Sequence, residues 1–218
     1  MKSEAAPSIP ESFLEHRLIF AAPWVDQWIL PNPFISPLHS FLKQAGVALT
    51  DFSFNKDASS IGDTFLNVVV RKLNASFRVG LDSVVFNAVN PDWMIAAELA
   101  SLFDQVAGVV RATSRSAPVS QETTLALHIV SETTDLGTAT SLLVRKELLG
   151  EAEFYGVTLN QDPRTIMIDK SQRFPRAAFV RVHRRSGGDD SFAAIVAALY
   201  ADEVFALKLL GLAEASGV

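Results

Sequence analysis

Seven cationic side chains, Arg164, Lys170, Arg173, Arg176, Arg181, Arg184 and Arg185, fall between positions 164 and 185 beside a single acid, Asp169. Guanidinium and ammonium groups are obligate donors, so this density suits the binding of an anionic chain or an acidic protein surface. If the segment is extended, Arg181, His183 and Arg185 share one side with Phe179. Met167 and Arg164 come from the preceding strand, and the candidate binding set is Arg164, Met167, Phe179, Arg181, His183 and Arg185. The plainer reading is a strand end neutralised by acidic helices of the same chain or of a second copy. It is favoured by a net charge of −5 and by aromatics that are not interleaved at RNA-binding spacing.

Other chemistries have weaker footing. His16, His39, His128 and His183 stand on four separate elements without HxH or HExxH spacing, so no metal site is expected. His128, within the apolar run Leu125–Val130, reads as a hydrogen-bonded core or edge histidine. No GxSxG, GxxxxGK[ST] or GxGxxG occurs, and no cofactor is expected. Gly187-Gly188 leads into Asp189-Asp190, whose carboxylates suit a turn and helix cap and would repel phosphate. The pairs Asp189/Asp190, Asp202/Glu203 and Glu151/Glu153 are sequence neighbours, which do not converge on a helix. An enzyme would have to assemble dispersed residues such as Asp169, Arg181 and His183. Zero cysteines exclude thiol and disulfide chemistry.

These residues need strands to hold them. Glu15–Ala22 reads as a strand, Leu38–Ala45 as a short helix closed by Gly46, and Val47–Phe54, Thr64–Lys72, Ala75–Leu81 and Ser83–Val89 as an antiparallel meander. Asn90-Pro91-Asp92-Trp93 opens a helix to about Ala112. Thr113–Gln121 is polar and reads as a linker. Strand Thr123–Ser131, helix Thr138–Leu149, three strands and helix Asp190–Ala213 then repeat the order, which suggests internal duplication. A turn over Asn160–Pro163 pairs Leu159 with Arg164 and Val157 with Ile166. A loop over Ser171–Pro175 pairs Ile168 with Ala178 and Arg164 with Val182. Both registers gather one apolar face and leave the opposite face, with Met167, Asp169, Phe179, Arg181 and His183, open.

The expected class is α+β: two similar strand-helix-strands-helix halves, antiparallel sheets with long helices packed on one face. The boundaries are a flexible leader at 1–12, a first half at 13–112, a linker at 113–121 and a second half at 122–218. The run Phe77–Asn87, the Asn-Pro-Asp-Trp helix start and the strand Leu125–Val130 resemble a sporadically distributed bacterial family of uncharacterised proteins. The layout of the halves is similar to the TATA-binding-protein-like fold. The resemblance implies a fold and no known activity.

Composition bounds the partners. The chain has 218 residues, 49% hydrophobic, with 15 Phe and a mean hydropathy of +0.23. The charge is −7 over residues 1–163, +6 over 164–185 and −4 over 186–218. Nucleic acid is therefore an improbable partner. The most apolar stretch, Phe192–Leu212, contains Asp202, Glu203 and Lys208 and reads as a buried helix, not a membrane span. Nothing at the start resembles a signal peptide, and the expected location is cytoplasmic. Trp24, Trp28 and Phe34 crowd a Pro-limited segment, and Phe192, Leu199 and Phe205 lie on a helix apolar over more than one stripe. These six are candidate interface residues of a homo-oligomer. The sequence thus reads as a non-catalytic, self-associating binding or assembly protein whose open sheet face takes an acidic partner. The alternative is a helix-grip binder of a small ligand in an aromatic-lined cavity.

Overall fold

The computed structural model describes residues 7–24, 32–55, 64–92, 96–139 and 156–212. The class is α+β. Nine strands form one sheet: β1 (Ser8–Phe20), β2 (Phe52–Phe54), β3 (Leu66–Val70), β4 (Ala75–Val79), β5 (Ser83–Val89), β6 (Pro118–Val130), β7 (Gly156–Gln161), β8 (Arg164–Lys170) and β9 (Ala178–Gly187). Their order is β2-β3-β4-β5-β1-β6-β9-β8-β7, and the β2–β3, β3–β4, β4–β5, β7–β8 and β8–β9 pairings are antiparallel. The helices are α1 (Asn32–Leu42), α2 (Ala96–Ser114), the one-turn α3 (Leu136–Ala139) and α4 (Phe192–Leu209). No helix among the described residues is long and apolar enough to cross a membrane. The chain divides into two compact units, one of Leu14–Thr123 with Arg185–Val196, the other of Met1–Phe13, Thr124–Arg184 and Ala197–Val218.

The first unit is built around an aromatic core. Alternation along β1 turns Leu14, His16, Leu18 and Phe20 inward, each fully or almost fully buried. α2 buries Leu99, Leu102, Phe103, Val106, Ala107 and Val110 along one stripe. Phe103 and Phe192 pack at 4.7 Å between ring centres, and Phe86 lies 6.2 and 5.9 Å from them. Trp24 packs edge-on against Phe20 at 4.5 Å, and its backbone N–H donates to the Leu81 carbonyl.

Several expected boundaries move. β1 starts at Ser8, inside the segment expected to be a leader, because alternation extends through Ser12 and Leu14. α1 starts at Asn32 and takes in Pro33, in the first turn where the missing N–H has no helical partner, and Pro37, in the helix interior. Gly46 closes the following 3-10 turn at φ +80°, as its place after Ala45 suggested. The strand expected over Val47–Phe54 shrinks to β2, since Leu49–Asp51 forms a 3-10 turn in which the Asp51 carboxylate accepts the Ala48 N–H. The expected linker does not exist. α2 runs to Ser114, β6 starts at Pro118, and Gln121 is buried. The last helix spans Phe192–Leu209, capped by the Ser191 hydroxyl accepting the Ala194 N–H, so Asp189 and Asp190 lie in the preceding turn. The helix expected over Thr138–Leu149 lies largely outside the described residues, as do Trp28 and Trp93.

In the second unit both strand registers differ from expectation by two residues. Leu159 pairs with Ile166 and Gln161 with Arg164, while Ile168 pairs with Val180 and Arg164 with Arg184. The β7–β8 turn contains only Asp162 and Pro163, a tighter connection than expected. A slip of two preserves which face each side chain takes, so the apolar set Ile166, Ile168, Val180 and Val182 stays buried. What the slip changes is the neighbour of Arg164.

Candidate functional site

Arg164 and Arg184, directly opposite on β8 and β9, both turn to the buried face. Like charges across a ladder repel. Asp202 of α4, with no exposed surface, resolves the conflict. Its carboxylate accepts from the Arg164 Nη1 and Arg184 Nε groups, and from Arg184 Nη2 at 2.9 Å. Arg164 Nη2 also donates to Gln161 Oε1 at 2.8 Å, and its guanidinium lies 4.6 Å from the Phe205 ring centre. Arg164 therefore belongs to a buried ion triad and not to the open face.

Most of the remaining cationic segment is neutralised within the chain. Arg173 pairs with Glu11 at 2.6 Å, Arg176 with Asp135 at 3.7 Å and Arg185 with Glu122 at 3.7 Å. Arg181 differs. Among the described residues no carboxylate lies within ion-pair distance of it, and its Nη2 rests 3.6 Å from the Met167 sulfur.

The open face of this unit is organised in cross-strand rows: Thr165 beside His183, Met167 beside Arg181, Asp169 beside Phe179. Two pockets occupy it. One, of about 370 Å³, is lined by Thr124, Thr158, Thr165, Met167, Arg181 and His183. His183 Nδ1 lies 3.2 Å from the Thr124 hydroxyl, and the Thr165 hydroxyl donates to Asn160 Oδ1 at 3.0 Å. The other, of about 440 Å³, is lined by His128, Asp169, Lys170, Gln172, Arg173 and Phe179. Of the expected binding set, Met167, Phe179, Arg181 and His183 come together here. Arg185 shares the strand face but pairs with Glu122, and Arg164 is on the other side.

The second pocket contains groups that sequence reasoning did not assign to a site. Ser171 anchors the β8–β9 loop: its hydroxyl accepts the N–H groups of Arg173 at 3.2 Å and Phe174 at 3.0 Å. Its own proton therefore goes to His128 Nδ1, 3.0 Å away, which leaves the N–H on Nε2. The imidazole stands between Phe174 and Phe179, at 5.1 and 5.0 Å. Partial burial lowers the His128 pKa below its ordinary value; Glu11 opposes that shift and Arg173 adds to it. Burial raises the Asp169 pKa, with Arg181 pulling the other way. Asp169 leans across Gly156: a Cβ there would lie 1.5 Å from its Oδ1 and 2.6 Å from the Ile168 backbone carbonyl, which cannot swing aside as a side chain can. The signal for His128 was in the sequence, as it shares strand parity with Thr124. The signal for Gly156 was not, because it depends on the register.

Of the expected interface residues, Trp24, Phe192 and Leu199 are buried in the chain's own core, Phe205 lies half-buried under Arg164, and Trp28 and the Phe34 side chain are outside the described residues. The first unit adds a buried histidine. His16 Nδ1 lies 2.7 Å from the Thr123 hydroxyl, its ring 4.5 Å from Phe103 and 4.3 Å from Phe192, and Nε2 has no partner. Burial drives its pKa down to about 3, against a smaller upward pull from Gln121. It is a neutral core residue. Among the described residues no three His, Asp or Glu side chains converge as a metal site. No protein-family model matches the chain, and no curated protein resembles it significantly.

Proposed function

We propose that the protein is a non-catalytic binding module whose open sheet face, over β6, β9, β8 and β7, takes an acidic partner. One observation carries the reading: two adjoining pockets share this face, and Arg181, the arginine of the cationic segment without a carboxylate of its own, lies between their rows. Lys170 and Arg173 extend the donor surface at one end, and Phe179 and Met167 provide its apolar floor. Self-association has less support, since Trp24, Phe192 and Leu199 are used in the core. A helix-grip cavity is disfavoured by aromatic rings that pack on one another at 4.7 to 6.2 Å.

We also propose that the chain is an internal duplication with a TATA-binding-protein-like layout. Strand order supports this: outward from the middle, one side reads β1, β5, β4, β3, β2 and the other β6, β9, β8, β7. On each side the first strand of a half is innermost, followed by its last strand and then the earlier ones.

Titration with polyglutamate at low and physiological salt tests the binding reading. Saturable binding that weakens with salt and falls in Arg181→Met supports it. Equal binding by wild type and Arg181→Met would refute it.

A further inference from the structure

The pocket around Arg181 has a one-sided hydrogen-bonding character. Its polar lining consists of the Arg181 guanidinium, the hydroxyls of Thr124, Thr158 and Thr165, and the His183 imidazole, with Met167 as the remaining wall. A guanidinium can only donate; of the hydroxyls, Thr165 already donates to Asn160 Oδ1 and Thr124 holds His183 Nδ1, which leaves Thr158 with its proton uncommitted among the described residues. Among the described residues no carboxylate lines this pocket, whereas Asp169 stands in the neighbouring one. The donors come from four strands: Thr124 from β6, His183 and Arg181 from β9, Thr165 from β8 and Thr158 from β7. They stand on one face, spread across four adjacent strands. A carboxylate offers two oxygens to such a row of donors, whereas a phosphoryl group offers three and carries more charge.

From this geometry we infer that the pocket is a phosphate subsite, which takes the phosphoryl group of a phosphate monoester. Arg181 supplies the paired N–H groups, and the Thr158 hydroxyl and His183 Nε2 are left for the remaining oxygens. Thr124 already holds His183 by Nδ1, which fixes the ring and leaves Nε2 for the ligand. The volume of about 370 Å³ leaves room for an organic group beyond the phosphate. Asp169 and Phe179, one row further along β8 and β9, lie beside the point where that group continues. The inference rests on the open face being the binding surface, and it specifies what the acidic partner carries there.

Calorimetric titration with inorganic phosphate, phenyl phosphate and benzoate tests it, with polyglutamate as a parallel arm. Phenyl phosphate is expected to bind at least about tenfold more tightly than benzoate, and Arg181→Met to weaken it about tenfold or more. Thr158→Val is expected to weaken phenyl phosphate while leaving benzoate unchanged. Arg176→Met, which removes an arginine that pairs with Asp135, serves as the control and is expected to change neither. Because Arg181 and Arg176 are both exposed, these variants should keep the wild-type melting temperature, and that is measured alongside. Absence of saturable phenyl phosphate binding up to about 10 mM, or binding equal in wild type and Arg181→Met, would overturn the phosphate subsite. If polyglutamate still binds through Arg181 in that case, the acidic-partner reading survives alone; if neither probe binds, both fall.

Discussion

Arg164 and Arg181 lie on adjacent strands of one ribbon and meet opposite surroundings. On the buried side, Arg164 and Arg184 share the carboxylate of a fully buried Asp202, a site with its ligand built in. On the open side, Arg181 has a thioether beside it and hydroxyls and an imidazole in the same pocket, with Asp169 one row along and no carboxylate within ion-pair distance among the described residues. Strand parity alone separates them. The same residue type is thus structural at one position and available at the other, so a count of arginines in a segment overstates its binding surface.

The sharpest way to break this contrast is to remove the built-in anion. Asp202→Asn leaves two largely buried guanidiniums uncompensated and is expected to cost about 3–5 kcal/mol in denaturant unfolding. The combined variant Arg164→Met, Arg184→Met and Asp202→Leu is expected to recover most of that loss, because apolar replacements of a whole buried ion cluster are often neutral. A loss below about 1 kcal/mol for Asp202→Asn would mean that the triad is not structurally important.

A second comparison sets His16 against the open-face histidines. The unfolded chain takes up a proton on this imidazole near pH 6.5, whereas the folded chain does so only near pH 3. Between those values the unfolded state binds more protons, so stability falls as the pH drops from 6.5 towards 3 and levels off below. The contribution of this one group is at most about 1.4 kcal/mol per pH unit. Chemical denaturation at a series of pH values should show that slope reduced in His16→Phe, and an unchanged slope would show that other groups govern acid sensitivity.

The smallest effect is expected at the rim. Arg185→Ala removes an exposed pair with Glu122 and should change stability by less than about 1 kcal/mol. The same substitution should leave Arg181-dependent binding intact, which distinguishes a paired arginine from the unpaired one two rows away.

Legibility in the sequence followed periodicity. Alternation of apolar residues located β5 to the residue and identified the two faces of β8 and β9, because a face survives a register error of two. It could not identify cross-strand neighbours, since those depend on how many residues the Asp162-Pro163 turn consumes. That is why the placing of Arg164 opposite Arg184, and of Gly156 opposite Asp169, was missed. Gln121 failed for another reason. In a polar stretch it reads as linker, but its amide nitrogen lies 2.9, 3.2 and 2.7 Å from the carbonyls of Gly187, Gly188 and Asp190, partners far away in sequence. Asp202 failed likewise: an acid next to Glu203 on a helix reads as solvated until the arginines beneath it are known. His16 was legible, as it shares parity with Leu14, Leu18 and Phe20, a run that ordinarily faces a core.

The position of β1 bears on how the chain reaches this state. Its neighbours in the sheet are β5 and β6, so Ser8–Phe20 must wait for residues 83–89 to cover one edge and for residues 118–130 to cover the other. During synthesis its inward row of Leu14, Leu18 and Phe20 stays without a partner strand until the middle of the chain has been made. Topologies dominated by such distant pairings fold over roughly milliseconds to seconds, not microseconds. A chain halted before Pro118 would hold an open strand edge, which is the feature that recruits other chains into aggregates. β6 therefore completes the pairing of β1, and slowing synthesis upstream of it is expected to lower the soluble yield more than the same pause placed downstream.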